Sequence, residues 1–111
     1  MTNRIDAQKL VAFDVHVHLE QPGGDTDADR KAAEYFKGGG PRDGDAMADY
    51  YRSRNMAFIV FTVDEKLSGM KRYTNDEVVA YAQKHADVAL PFASINPKRG
   101  KEGVGEARRL V

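Results

Sequence analysis

The sequence predicts an α/β protein with a parallel β-sheet, and three observations support this fold class. Short apolar runs rich in β-forming residues occupy positions 10–19, 56–63 and 88–95. Segments with helical periodicity separate these runs, and a further one follows the third. Strands that alternate with helices are typical of right-handed crossover connections, which place successive strands parallel in one sheet.

The three predicted strands differ in how their apolar residues are spaced. In the second, "MAFIVFTV", apolar residues stand at consecutive positions, which is typical of a strand covered on both faces. The third, "VALPFASI", contains Pro91, which cannot donate a ladder hydrogen bond. We therefore expect Pro91 at the start of a short strand over 92–95.

Three segments have the pattern of amphipathic helices: 42–55, 74–87 and 101–111. In the first of them, Met47, Tyr50 and Tyr51 fall on one face. The second begins with Thr74 followed three residues later by Glu77, the signature of a capping box. The third predicted helix follows the last strand and completes a β-α-β-α-β-α order.

The segment 20–45 is rich in glycine at both ends and is too long for an ordinary turn. Connections of this length directly after a strand are uncommon unless they serve as a lid or a binding loop. We therefore expect a lid-like loop over 20–45.

Composition narrows the classes of function. The chain has 111 residues, 17 basic and 17 acidic, and no cysteine. One compact unit over 1–111 is expected, without disulfides or thiolate ligands. The balanced charge offers no general attraction for nucleic acid or an anionic membrane, so neither is an expected partner. Without the pattern of a signal peptide or a membrane-spanning run, a cytoplasmic location is the default expectation.

The stretch "FDVHVHLE" carries the strongest chemical signal. In a regular strand Asp14, His16 and His18 share one face, while the apolar residues between and around them face the helices. Two imidazoles at positions i and i+2 can bind one divalent cation from a rigid strand. Two other interpretations stay open: an exposed polar face on an edge strand, and core histidines satisfied by hydrogen bonds.

Further polar residues are predicted near the carboxyl ends of the strands, where sites collect in parallel α/β proteins. These candidates for the rim of the site, or for orienting a ligand, are Asp14, Glu20, Asp64 and Asn96. For Asp64 and Asn96 a solvated loop position is the plainer alternative, while Asp14 and Glu20 are candidates for orienting a ligand.

The order of "DVHVHLE", a long lid, "YYRSRNMAFIVFTVD" and "TNDEVVAYAQKHADVALPFASINP" resembles the metal-dependent amidohydrolase superfamily. Within it, the resemblance is to the amidohydrolase-related (amidohydrolase 2) branch, which includes decarboxylases of the aminocarboxymuconate-semialdehyde type. It implies a (β/α)8 TIM barrel, of which this chain would supply the first three βα units. A barrel that is incomplete in this way implies self-association or a missing C-terminal portion.

The resemblance also implies a chemistry. His16 and His18 match the first-strand ligands of a divalent metal ion, commonly zinc, and the expected activity is hydrolysis of a small organic substrate by a metal-activated water. Non-oxidative decarboxylation, a metal-dependent phosphoesterase or TatD-type nuclease, and an inactive truncated fragment are the alternatives. The catalytic residues that later strands would supply are unknown.

Overall fold

A computed structural model describes residues 3–19, 27, 31, 44–63 and 73–111 of the chain. Its three strands are β1 (Ala12–His18), β2 (Met56–Phe61) and β3 (Ala89–Pro91), and its helices are α1 (Gly44–Arg52), α2 (Asn75–Lys84) and α3 (Lys101–Leu110). Short 3-10 helices span Ala7–Lys9 and Pro97–Arg99. The predicted lid over 20–45 lies mostly outside the described residues.

The three strands form one parallel sheet in the order β1-β2-β3, which confirms the prediction of an α/β protein with a parallel sheet. The helices α1 and α2 cover the same face of this sheet, because Tyr51 of α1 and Tyr81 of α2 both lie beside the ring of Phe58 on β2. Strands in chain order with their helices on one side follow from two crossovers of the same hand.

The hydrophobic core lies between the sheet and these two helices. Its central side chains, Phe58, Val60 and Val78, are almost completely buried. Phe58 and Val60 point toward the helices, whereas Ile59 and Phe61, which point to the other face of β2, are only partly buried. Within the described residues the helix-side face of β2 is the more fully covered, and on the other face Ala57 is buried while Ile59 and Phe61 are not, so the predicted cover on both faces is met only in part.

The capping box that begins α2 is confirmed. The backbone N–H of Glu77 donates to Thr74 Oγ1 at 3.1 Å, and the backbone N–H of Thr74 donates to the Glu77 carboxylate at 2.7 Å. The two residues thereby satisfy donors that the helix leaves unpaired at its first turn.

Between α1 and β2, Asn55 has a φ of 54° and turns the chain from the helix into the strand.

The prediction that Pro91 begins a strand over 92–95 is wrong, because Pro91 is the last residue of β3. The reason is the direction of its backbone nitrogen. The Val88 carbonyl accepts from the Phe58 N–H, and the Phe92 N–H donates to the Val60 carbonyl. The backbone polar groups of the even-numbered residues in this segment therefore face β2. Residue 91 consequently faces the outer edge of the sheet, where a missing N–H costs no ladder bond.

The prediction that Asp14 shares a face with His16 and His18 is also wrong. Asp14 aligns with Phe58 and Val17 aligns with Val60, so β1 uses three residue steps where β2 uses two. This β-bulge at the edge strand reverses the alternation of side chains between Asp14 and His16. Asp14 points toward α1, the two histidines point away from the helices, and Val15 is 67% exposed rather than buried.

The helix α3 packs against the loop that follows β3. A Cβ atom on Gly103 would lie 3.2 Å from Ile95 Cγ2 and 3.3 Å from the carbonyl oxygen of Asn96, whereas one on Gly105 would meet nothing within 4 Å. Asn75, at the start of α2, donates to both the Ser94 carbonyl and the Glu106 carboxylate at 3.0 Å. Gly103 therefore lets α3 lie close to the loop. The hydrogen bonds of Asn75 to Ser94 and Glu106 join the loop, α2 and α3 in this arrangement.

A polar network joins α1 to the end of α2. The His85 ring is buried, with Nε2 at 2.8 Å from Asp45 Oδ1 and Nδ1 at 3.4 Å from Arg52 Nη2. Because a guanidinium can only donate, Nδ1 accepts and the Nε2–H donates to Asp45. Arg52 also makes a bidentate pair with Asp87, at 2.6 and 2.9 Å, which lowers the pKa of the Asp87 carboxyl.

No helix within the described residues combines the length and the apolar character needed to cross a membrane.

Candidate metal centre

The two histidines lie at the carboxyl end of β1, on the sheet face that points away from the helices. His18 is the last residue of the strand and aligns with Phe61 at the end of β2. The Phe61 ring meets both imidazoles edge-on, with ring centroids 5.0 Å from His16 and 4.8 Å from His18. One aromatic side chain of the neighbouring strand thus supports both rings.

The two imidazoles converge through the same ring atom. Their Nε2 atoms are 3.2 Å apart, and the ring centroids are separated by 5.1 Å with 39° between the ring planes. When both rings are neutral, this distance suits a hydrogen bond in which one Nε2 carries the proton and the other accepts it. Both nitrogens are then directed at a single point between the rings.

This separation also suits a shared divalent cation. Zinc binds imidazole nitrogens at about 2.0–2.1 Å, and two such nitrogens at a tetrahedral angle lie about 3.3 Å apart. His16 and His18 therefore fit two ligand positions of one metal ion. Among the residues that the structure describes, no group of three or more His, Cys, Asp or Glu side chains is arranged to hold a metal. The pair is thus a two-ligand site within this part of the chain.

Asp14 lies beside the histidines and connects them to α1. Its Oδ1 accepts from the backbone N–H of His16 at 3.1 Å, and its Oδ2 accepts from the Tyr51 hydroxyl at 2.6 Å. Burial, together with the bond to Asp14, raises the pKa of the Tyr51 phenol. Tyr51 therefore stays protonated and remains a donor to the carboxylate across the physiological range.

A cavity of about 300 Å³ opens at this end of β1, with Asp14, His16, His18, Met47 and Tyr51 in its lining. A space of this size is at the lower end of what small-molecule sites need. It lies at the β1 margin of the described sheet, so side chains from both faces line it: the two imidazoles from one face, and Asp14 with side chains of α1 from the other. The candidate metal ligands thus lie beside a space that can admit a small polar molecule.

The other predicted rim residues do not join this site within the described structure. Asn96 is 8% exposed, and its Oδ1 accepts from the Lys98 N–H at 3.0 Å, capping the 3-10 helix that follows β3. Glu20 and Asp64 lie outside the described residues. The sequence places Tyr51 only on one face of the first predicted helix, because no local pattern links it to Asp14, 37 positions away.

Comparison of the chain with protein-family models, curated proteins and solved structures gave no match.

Proposed function

We propose that His16 and His18 form the first-strand half of a divalent-metal site in a metal-dependent hydrolase of the amidohydrolase type. The observation that carries this proposal is the 3.2 Å separation of their Nε2 atoms at the carboxyl end of β1. Zinc is the proposed metal, because two imidazole nitrogens at this spacing suit its tetrahedral coordination. The proposed substrate is a small organic molecule with a hydrolysable C–N or C–O bond.

The arrangement of the sheet supports a barrel as the parent fold. Strands in chain order with the described crossover helices α1 and α2 on one face are what the first units of a (β/α)8 barrel require. In such a barrel the opposite face becomes the interior, and this is the face to which His16, His18 and Phe61 point. Sites in these barrels lie at the carboxyl ends of the strands, where His18 ends β1.

The proposed chemistry divides into what the metal supplies and what this chain supplies. A bound zinc ion would lower the pKa of a coordinated water and so provide a hydrolytic nucleophile near neutral pH. The two imidazoles would bind the ion through Nε2, and Phe61 would hold their rings in place. Later strands of a complete barrel would provide the remaining ligands and the residues that bind substrate.

Metal titration of the 111-residue chain with single-histidine variants tests the proposal. We expect saturable binding of one Zn²⁺ per chain by calorimetry, and loss of this binding in His16→Ala and His18→Ala. Because His16 is exposed and His18 is only partly buried, both variants should unfold in urea near the wild-type midpoint.

The third histidine of the chain provides the matched control. His85→Ala removes a buried ring from the network between α1 and α2, so it should lower the free energy of unfolding while leaving zinc binding unchanged. A wild-type chain that folds but binds no Zn²⁺, or zinc binding that survives in both His16→Ala and His18→Ala, would contradict the proposal.

A further inference from the structure

The Tyr51 side chain reaches from α1 to the strand that carries the two histidines. It donates to Asp14 Oδ2 at 2.6 Å, and the other oxygen of the same carboxylate accepts from the His16 backbone N–H at 3.1 Å. One carboxylate therefore links a helix side chain to the main chain of a candidate metal ligand.

The position of the Tyr51 ring is itself fixed by the core. Its centroid is 4.5 Å from that of Phe58, which is completely buried, and 5.6 Å from that of Tyr50 in a T-shaped contact. Aromatic rings packed in this way have little rotational freedom about their side-chain bonds. The phenol oxygen is thus held at one place relative to β2, and Asp14 is positioned through it.

The contact between Tyr51 and Asp14 matters for the bulge because backbone pairing with β2 does not fix this part of β1. Between Asp14 and Val17 the pairing with β2 is interrupted, and Val15 is 67% exposed on the edge strand. A strand segment without paired neighbours can return to regular alternation, and a shift by one residue moves a side chain to the opposite face. Such a shift would carry the His16 ring away from His18.

We propose that Tyr51 is a positioning residue for the His16–His18 pair, and that it acts by holding Asp14 and thereby the bulge. The role of Tyr51 in the active protein rests on the proposed metal-binding function of the two histidines. The hydrogen bond from Tyr51 to Asp14 is present in the metal-free chain. Its effect on the two imidazole rings can therefore be measured without a metal. Partners that orient metal ligands in this indirect way typically change metal affinity by about 10–100-fold.

The first measurement uses the metal-free chain. Tyr51→Phe removes the hydroxyl and keeps the ring, and Tyr50→Phe makes the same change at the neighbouring residue. We expect Tyr51→Phe to weaken the nuclear Overhauser contact between the His16 and His18 rings and to speed hydrogen exchange of the His16 amide. Tyr50→Phe should leave both at wild-type values. Unchanged ring contact and exchange in Tyr51→Phe would overturn the proposal.

The second measurement uses Zn²⁺ affinity in a double-mutant cycle with Asp14→Ala. Tyr51→Phe should weaken binding by about 10–100-fold, and it should have no further effect once Asp14 is alanine. Equal affinity of Tyr51→Phe and the wild type, or independent effects of the two substitutions, would overturn it. If Tyr51→Phe does not fold, Asp14→Ala alone must show the same loss of ring contact, and an intact contact in that variant would also overturn it.

The two proposals fail in different ways. Absence of zinc binding in the folded wild type removes the proposed function, while the ring contact and the His16 exchange rate still decide the role of Tyr51. Zinc binding that does not respond to Tyr51→Phe removes the positioning role and leaves the proposed function in place.

Discussion

Phe58 is the side chain on which the packing of the sheet against both helices depends most directly. It is completely buried on β2, and the rings of Tyr51 and Tyr81 lie 4.5 and 6.5 Å from it. Replacing a buried phenylalanine by alanine costs about 3–5 kcal/mol, because it combines lost burial with a residual cavity. We expect Phe58→Ala to lower the free energy of unfolding by this amount.

Phe92 provides a matched control with the same substitution. Its side chain is 53% exposed, so only about half of its surface is removed from water. Complete burial of such a side chain is worth about 1.5–3 kcal/mol, so Phe92→Ala should cost about 1 kcal/mol and leave no cavity. The expected difference between the two variants is therefore about 2 kcal/mol or more.

Urea denaturation followed by circular dichroism measures both values. With a slope of about 2 kcal/mol per molar urea, Phe58→Ala should lower the midpoint by roughly 2 M and Phe92→Ala by about 0.5 M. Phe58→Leu keeps a large apolar side chain and should cost less than Phe58→Ala, so it keeps the comparison measurable if the alanine variant unfolds. Equal midpoints for the Phe58→Ala and Phe92→Ala variants would refute a core centred on Phe58.

Three further predictions concern the helices and their ion pairs. Gly105→Ala should stabilise α3 by up to about 1 kcal/mol. Gly103→Ala should stabilise it less or destabilise it, because the new Cβ would crowd the preceding loop. Thermal melts of the two variants compare these effects directly. Thr74→Ala should cost about 1 kcal/mol in urea titrations, through loss of the cap of α2. Because Arg52 lowers the pKa of Asp87, the folded state binds fewer protons than the unfolded state near pH 4. The free energy of unfolding should therefore fall as the pH drops below about 4, and it should fall less steeply in Asp87→Asn. Urea midpoints measured between about pH 7 and pH 2.5 test this expectation. An identical dependence of the midpoint on pH in the two proteins would contradict it.

The elements that follow from local chemistry were predictable from the sequence. The capping box of α2 depends on Thr74 and Glu77, three residues apart, and the structure forms it as expected. The order of strands and helices likewise depends on hydrophobic periodicity within short windows. Both rest on interactions that are complete within one element, so neither requires knowledge of how distant segments pack.

The placement of Asp14 was not predictable, because it depends on a distant partner. Strict alternation along "FDVHVHL" groups this residue with the two histidines, and only the register with β2 and the bond to Tyr51 separate them. Periodicity contains no information about a bulge, since the inserted residue has no characteristic type in this strand. The convergence of His16 and His18 was nevertheless anticipated, because the reversal of alternation falls between Asp14 and His16 and leaves the two histidines on one face.

The outer edge of β3 has a consequence for how this protein meets other chains. Ala89 gives its N–H to the His85 carbonyl, and Pro91 has none to give. A foreign strand approaching this edge would find no donor at either position and would have to begin pairing beyond Pro91. Edges that lack free donors are poor templates for strand pairing, so over Ala89–Pro91 this edge of the described sheet disfavours pairing with a strand of another chain.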